Sequence, residues 1–318
     1  MRILVTGGAG FIGSNLTDTL LAQGHHVVVL DNFITGKHEN LTEAASHPSF
    51  TLIEGDIRDF ETCRKAAENC EAVFHEAALG AVPRSIANPQ MSFEINSQGF
   101  CNMIEAARLA GVRRFIYASS SSVYGDNARM PKVENSTGNA LSPYALSKQM
   151  NESVAAIYSK VYRFPVIGLR YFNVFGKRQD PAGAYAAVIP KFVLSMLNHK
   201  EPVINGTGEF SRDFTFIENI VQLNLCALNA PEAAWNTVYN GACGERTTLK
   251  ELFYLLREEL SVYDPEIRQL EPKYGPERAG DIPHSLADIS KAVQNLHYQP
   301  QYDIKSGLHK AVEWYCKK

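Results

Sequence analysis

Tyr144 and Lys148 stand four residues apart in the stretch SPYALSK, downstream of the serine run YASSSSVYG. A phenol titrates near pH 10 and is a poor base at neutrality. Ser142-Pro143 reads as a helix start, since proline suits the first helical turn, and positions i and i+4 then share a face. An ammonium beside a phenol favours the phenolate. Bringing that phenol to about pH 7 takes roughly 3 units, or about 4 kcal/mol. One lysine is not expected to supply all of it, so a second positive charge is expected nearby. Taken alone, a tyrosine four residues before a lysine is common on solvent-facing helices. The rest of the chain gives the pair its weight.

The elements that would position the pair begin at the N-terminus. MRILV is a short apolar run rich in β-branched residues, and TGGAGFIG follows at once, with Gly7, Gly10 and Gly13 spaced three apart. Ile12, Leu16, Thr19 and Leu20 then form a helical stripe that Gly24 stops. Strand, glycine turn and helix in that order suit a dinucleotide: the glycines let the backbone approach a pyrophosphate, and the helix N-terminus offers free N–H groups. HVVVLD ends in Asp31, an acid placed to bind the ribose hydroxyls of NAD and to repel the extra phosphate of NADP. An oxidised nicotinamide ring would be the second charge that the Tyr144 pair lacks.

Further strands are expected at FTLIEGDIRD, AVFHEAA, RRFIYASS and PVIGLRYFNVFG, with helices over 89–110 and 143–161. Strands alternating with helices imply an α/β, doubly wound parallel sheet, which binds ligands at the carboxyl ends of its strands. Asp31, Asp56, Ala77, Ala78, Ser119, Ser120 and the segment Tyr171 to Asn173 all fall at such ends and are expected to line one cleft. After Gly176 the pattern turns mixed, with helices at KFVLSMLNHK and TLKELFYLLREEL. The expected organisation is a cofactor domain over 1–175, a return segment near 213–232, and a smaller mixed α/β substrate lobe over 176–318.

Composition narrows the partners. A net charge of −3 gives no basic field for nucleic acid, and no apolar run approaches the roughly 18 residues that cross a bilayer. A strand starting at the N-terminus leaves no room for a signal peptide, and a cytoplasmic protein is expected. The six cysteines show no C-x-x-C spacing, and His25-His26 lacks neighbouring ligands, so no metal site is expected.

The glycine turn, the serine run and the Tyr-x-x-x-Lys pair together resemble the extended short-chain dehydrogenase/reductase superfamily, whose first domain is a Rossmann fold. AALGAVPRSI, LSPYALSKQMNE, LRYFNVFGKRQDP, GAYAAVIPKF, SRDFTFIENI and GDIPHSLADISKA are similar to the nucleotide-sugar 4-epimerases, most of all to those acting on UDP-N-acetylhexosamines. The resemblance spans essentially the whole chain. It implies that Tyr144 removes the proton of the sugar 4-hydroxyl while the C4 hydride passes to NAD, and that the hydride returns to the other face. Lys148 would be the electrostatic partner and would bond the nicotinamide ribose. Ser120 would bond O4 and share the proton's path, with Ser122 as a second hydroxyl on the sugar. The cofactor set grows to include Phe11, Ile12, Asn32, Gly36, Ile57 and Asn96. Related dehydratases place Asp-Glu where this chain has Ser121 and Ser122, and related decarboxylases carry a glutamate beside the base. Without such a carboxylate, epimerisation is the expected reaction.

The resemblance also supplies a substrate set. Arg212 and Arg278 would clamp the UDP diphosphate, which arginine binds bidentately, and Asn173 would donate to the phosphates or the sugar. Val188, Lys191 and Asn205 match the uridine pocket, Asp281 the uridine ribose, and Arg84 the sugar side. Ser285 stands where these epimerases carry either a bulky tyrosine or a small residue. A small residue leaves room for a 2-acetamido group without forbidding the plain hexose, and overpacking that space would cost about 1–3 kcal/mol. The helices over 89–110 and 143–161 carry apolar residues on more than one face, and relatives pair them into a four-helix bundle, so a homodimer is expected. The alternatives left open are a UDP-glucose or UDP-uronate epimerase, a net oxidoreductase of the same fold, and a non-catalytic NAD-binding regulator.

Overall fold

The computed structural model describes residues 1–181, 183, 185–277 and 282–317. Strands and helices alternate as the patterning predicts: β1 (Arg2–Thr6), α1 (Phe11–Ala22), β2 (His26–Asp31), β3 (Phe50–Glu54), α2 (Phe60–Ala67), β4 (Ala72–His75), α3 (Gly99–Leu109), β5 (Arg114–Ser120), α4 (Pro143–Tyr162) and β6 (Val166–Tyr171). With α5 (Ile217–Leu228) and β7 (Thr237–Gly241) they build a parallel seven-stranded sheet in the order β7-β6-β5-β4-β1-β2-β3. Residues Val27 to Leu30 of β2 are buried throughout, as both covered faces of a parallel sheet require. The order reverses between β1 and β4, so the loops leaving those strands diverge and open a crevice at their carboxyl ends.

The expected single strand PVIGLRYFNVFG is broken. β6 ends at Tyr171, Asn173 takes a left-handed φ of +34°, and Val174–Phe175 leaves the sheet to pair in parallel with Thr215–Phe216. That break carries the chain from the sheet towards the second lobe. The return is longer than the segment expected near 213–232: α5 packs on α1, and β7 then joins the sheet beside β6. One continuous apolar core runs from β1, β2 and α1 through α5 to the helices Val188–Leu197, Leu249–Leu260 and Ile304–Cys316. Among the described residues the second lobe pairs only short strands, Val203–Asn205 with Lys273–Gly275 and Ser211–Arg212 with Thr247–Thr248. Its helix Leu249–Leu260 starts with a reciprocal cap between Thr248 and Glu251, worth about 1 kcal/mol.

The helix expected over 89–110 has an interruption. Pro89–Phe93 and α3 are joined by a π-helical turn, Glu94–Gln98, a distortion frequent near functional sites. Asn96 sits on that turn and clasps Leu79: its Oδ1 accepts the Leu79 N–H at 2.7 Å and its Nδ2 donates to the Leu79 carbonyl at 3.1 Å. Among the described residues, no helix is long and apolar enough to cross a membrane.

Candidate active site

The glycine turn after β1 lies hard against the end of β4. Gly7 has a φ of +68°, and a Cβ there would stand 2.7 Å from the Ala77 Cα; one on Gly13 would stand 2.2 Å from the Gly7 carbonyl oxygen. Gly10 caps α1 without a side chain, and no acid occupies the first turn, so its N–H groups are left for a ligand. Gly7, Gly10, Phe11, Ile12 and Gly13 line one wall of a cavity of about 450 Å³, whose other walls include Asp31, Asn32, Ile57, Ala77, Ala78, Ser119, Ser120, Tyr144, Lys148, Tyr171 and Asn173. Asp31 is held by the Ala9 and Phe33 N–H groups, each at 2.9 Å on a different oxygen. Burial raises its carboxyl above the ordinary range against those hydrogen bonds. Each oxygen keeps a lone pair for a further donor, such as a ribose hydroxyl.

The far end of the cavity holds the groups that could do chemistry. Ser142 caps α4, accepting the Ala145 N–H at 3.1 Å, and Pro143 opens the helix. Tyr144 faces the cavity, and Lys148 lies behind it, buried, with Nζ donating to the Ala118 carbonyl at 2.7 Å and standing 6.0 Å from the Tyr144 ring centre. The expected lowering of the phenol by Lys148 does not occur in this state. Burial raises the Tyr144 pKa, and only a hydrogen bond to Ser120 pulls the other way. The lysine is itself lowered by burial to about 8, with Glu76 and Glu152 supporting its charge. A cationic ring beside the phenol would supply what the lysine alone does not.

Two features of this end escaped the sequence. Glu76, just past β4, lines the cavity and accepts the Tyr171 hydroxyl at 2.8 Å. Behind the wall, Glu152 accepts the Ser119 hydroxyl at 2.6 Å and pairs with buried Arg170 at 2.7 Å. The Ser119 hydroxyl proton is therefore committed, so this side chain has no donor left for a ligand. The spacing of Glu152, one turn beyond Lys148, was a usable signal; Arg170, inside an apolar strand, was another.

Asn173 lines the cofactor cavity and also two adjoining clefts of about 680 and 430 Å³. Val188 and Lys191 line both of these, and Asn205 and Arg212 join them in the second. Four of the expected substrate residues thus converge beside the strand break. Asp213 clamps this corner: its carboxylate accepts the Cys243, Gly244 and Ala287 N–H groups at 3.0, 3.0 and 3.2 Å, its carbonyl accepts the Asn173 amide, and burial raises its carboxyl to about 6. A lone aspartate between Arg212 and Phe214 carried no sequence signal for that role.

Other expected residues sit off the cavity walls. Asn96 is spent on Leu79, so it shapes the wall from behind. Gly36 packs on Asp31, where a Cβ would come within 2.8 Å of its Oδ1. Asp56 turns to Arg58 and to the Asn32 amide, and the Arg58 hydrogen bond holds its carboxyl down at about 2. Among the described residues the Ser122 hydroxyl is buried without a partner, while its main-chain N–H donates to the Ser120 hydroxyl at 3.1 Å. Arg84 stacks over the ring of Tyr185 at 5.3 Å, and Tyr185 lines the cleft of about 680 Å³, so Arg84 stands behind that wall. Ser285 runs alongside Ser211, its N–H donating to the Ser211 carbonyl at 3.0 Å, and lines none of the three spaces. Arg278 and Asp281 lie outside the described residues.

A glycine-cradled dinucleotide cleft ending in a tyrosine, a serine and a buried lysine defines an enzyme that moves a proton and a hydride at one carbon. The chain belongs to the NAD dependent epimerase/dehydratase family, whose sequence model matches residues 3–242. It is 36% identical over 315 residues to a putative UDP-glucose 4-epimerase of Methanocaldococcus jannaschii, covering 98% of this chain and 97% of that protein. Its structure resembles the UDP-N-acetylglucosamine 4-epimerase of Methanobrevibacter ruminantium in complex with UDP-N-acetylmuramic acid, with a TM-score of 0.93, 37% identity and coverage of 99% and 98% of the two chains. It also resembles the UDP-glucose 4-epimerase of Thermotoga maritima with UDP-glucose, with a TM-score of 0.91, 35% identity and coverage of 100% and 99%. Epimerisation of UDP-sugars at C4 is the activity class it shares with them, and NAD is the cofactor. The cradle that a Cβ would fill and the two-lone-pair acceptor at Asp31 both fit that nucleotide.

Proposed function

We propose that this enzyme interconverts UDP-N-acetylglucosamine and UDP-N-acetylgalactosamine. The observation that carries the reading is the meeting of two spaces at Asn173, one ending in Tyr144, Ser120 and Lys148, the other lined by Lys191, Asn205 and Arg212. An anionic nucleotide laid along the second would deliver its sugar to the first. NAD, when bound, supplies a hydride acceptor and a positively charged ring. Tyr144 takes the proton of the 4-hydroxyl and returns it after the sugar has presented its other face. Ser120, bonded to Tyr144, holds O4 and carries the proton between them. Lys148 keeps a positive charge behind the phenol, in a setting dry enough for that charge to count.

The preference for an acetamido sugar rests on the likeness to the Methanobrevibacter enzyme; Ser285, small and beside the strand that carries Arg212, is compatible with it but lines none of the three spaces. The likeness to enzymes named for UDP-glucose supports a second, plain-hexose activity at the same site. Incubating purified protein with UDP-N-acetylglucosamine, UDP-glucose or UDP-glucuronate, without added cofactor, separates these readings by product chromatography. Turnover of the uronate alone would overturn the proposal, and no turnover of any sugar would favour a non-catalytic NAD-binding protein.

Residues 1–175 with the returning α5 and β7 are assigned to the cofactor, and most of 176–318 to the UDP-sugar. On α4, Leu146, Met150, Ile157 and Val161 form an exposed apolar stripe, 43%, 42%, 55% and 60% accessible, whereas Val154 and Tyr158 pack inwards. A second copy of this chain covering that stripe gives a homodimer through a four-helix bundle. Light scattering at micromolar concentration should read twice the chain mass; a monomer would remove the assignment.

A further inference from the structure

The mechanism above leaves one cavity-lining acid unused. Glu76 shares its end of the cavity with Tyr144, Lys148 and Tyr171. One of its oxygens accepts the Tyr171 hydroxyl at 2.8 Å, while that hydroxyl accepts the Asn224 amide, also at 2.8 Å. With its acceptor side engaged by Asn224, the phenol has its proton to offer, and the contact favours Glu76 as an acceptor. Burial raises the Glu76 carboxyl to about 7 against the pull of Tyr171 and Lys148. His75 beside it is buried and lowered to about 3, hence neutral, and Glu152 supports Lys148 from one helical turn further on. Glu76 is therefore the acid at the Tyr144 end of the cleft, remote from Asp31 at the glycine turn, and open to whatever fills that end.

The chemistry fixes which part of the cofactor that must be. A proton and a hydride leave substituents of the same carbon, so the nicotinamide ring and the Tyr144 phenol both touch it. The ring's place is the Tyr144 end, which is also the Glu76 end. That ring is cationic when oxidised and neutral when reduced. A carboxylate in a water-poor cleft stabilises the cation and gives the reduced ring no comparable benefit. We propose that Glu76 sets the redox poise of the bound cofactor, holding it in the oxidised form from which each catalytic cycle starts. It acts as a positioning charge and takes no proton from the sugar. The inference rests on the NAD-dependent reading and deepens it.

The test uses holoprotein without any sugar. Bound cofactor is reduced with a chemical hydride donor, and the near-ultraviolet absorbance of reduced nicotinamide is followed in wild type, Glu76→Gln and Glu76→Asp. Loss of the charge should speed reduction about five- to tenfold, the size of a one-unit electrostatic change, with the aspartate variant between the two. Nucleotide content and thermal midpoint are measured in parallel. Reduction of the glutamine variant at the wild-type rate, with full cofactor content, would sink the proposal. Should that variant not fold, wild type decides: its reduction rate, divided by that of free NAD, should rise as pH falls through about 7, where Glu76 takes up its proton. A flat ratio overturns the idea, and so does a rise centred near 8 that disappears in Lys148→Met, since Lys148 is lowered to about 8 and is the neighbouring cleft group that titrates closest to Glu76. Absence of NAD from wild type, with no binding when it is added, would instead defeat the NAD reading itself.

Discussion

The two halves of the cleft are held by different means. Around the cofactor cavity the walls are strand ends of a parallel sheet whose members run four to seven residues, and the glycine turn fits with no room for one added carbon. Around the cleft proposed for the sugar nucleotide, lined by Lys191, Asn205 and Arg212, the strands are two or three residues long. There the geometry hangs on single polar clamps, chiefly Asp213 and the amide of Asn173. A sheet distributes its stability over many main-chain bonds, whereas a clamp concentrates it. The cofactor half should therefore tolerate polar substitutions and fail on added bulk. The substrate half should do the reverse.

Tyr144→Phe should give the largest effect, lowering kcat by about 10²–10⁴ while NAD content and thermal midpoint stay at wild type. Unchanged turnover would end the proposed chemistry. Arg212→Ala should leave NAD bound and raise KM for the UDP-sugar by about 10- to 100-fold, the worth of one or two hydrogen bonds to a charged group; a loss of NAD instead would mean the two halves are not separable. Gly13→Ala should cost about 1–3 kcal/mol in denaturant unfolding and release NAD, because its Cβ would meet the Gly7 carbonyl at 2.2 Å. The smallest effect is a pH signature. Burial lowers Lys148 to about 8 from an ordinary 10.5, so across that window the unfolded chain binds more protons than the folded one, and stability should rise with pH. Activity should fall over the same window as the ammonium is lost. In Lys148→Met the stability slope attributable to this group should vanish, read as the wild-type minus variant difference in thermal midpoint.

Much of the site was legible because it is local. The glycine spacing, Asp31 at a strand end and the i, i+4 pair Tyr144/Lys148 are short-range patterns, and the structure brings all of them to one cavity. The features that the sequence did not show depend on burial or on contacts that periodicity does not reveal. Asn96 faces Leu79 across a π-helical turn that periodicity does not show. Ser122 belongs to a tight turn that buries its hydroxyl. Glu76 and Asp213 look like ordinary acids in the chain and become unusual only through burial.

The amino-acid order by itself determined the alternation of strands and helices, the glycine cradle and the shared helix face of Tyr144 and Lys148, since each depends on neighbours within a few positions. Tertiary structure alone decided the electrostatics and the junction. Whether a phenol sits above or below its ordinary pKa depends on how much water surrounds it and which charges stand near, and both are set by segments far apart in sequence. The break at Asn173, which joins the two clefts, likewise exists because Val174–Phe175 pairs with Thr215–Phe216 some forty residues away, and no local rule prescribes that pairing.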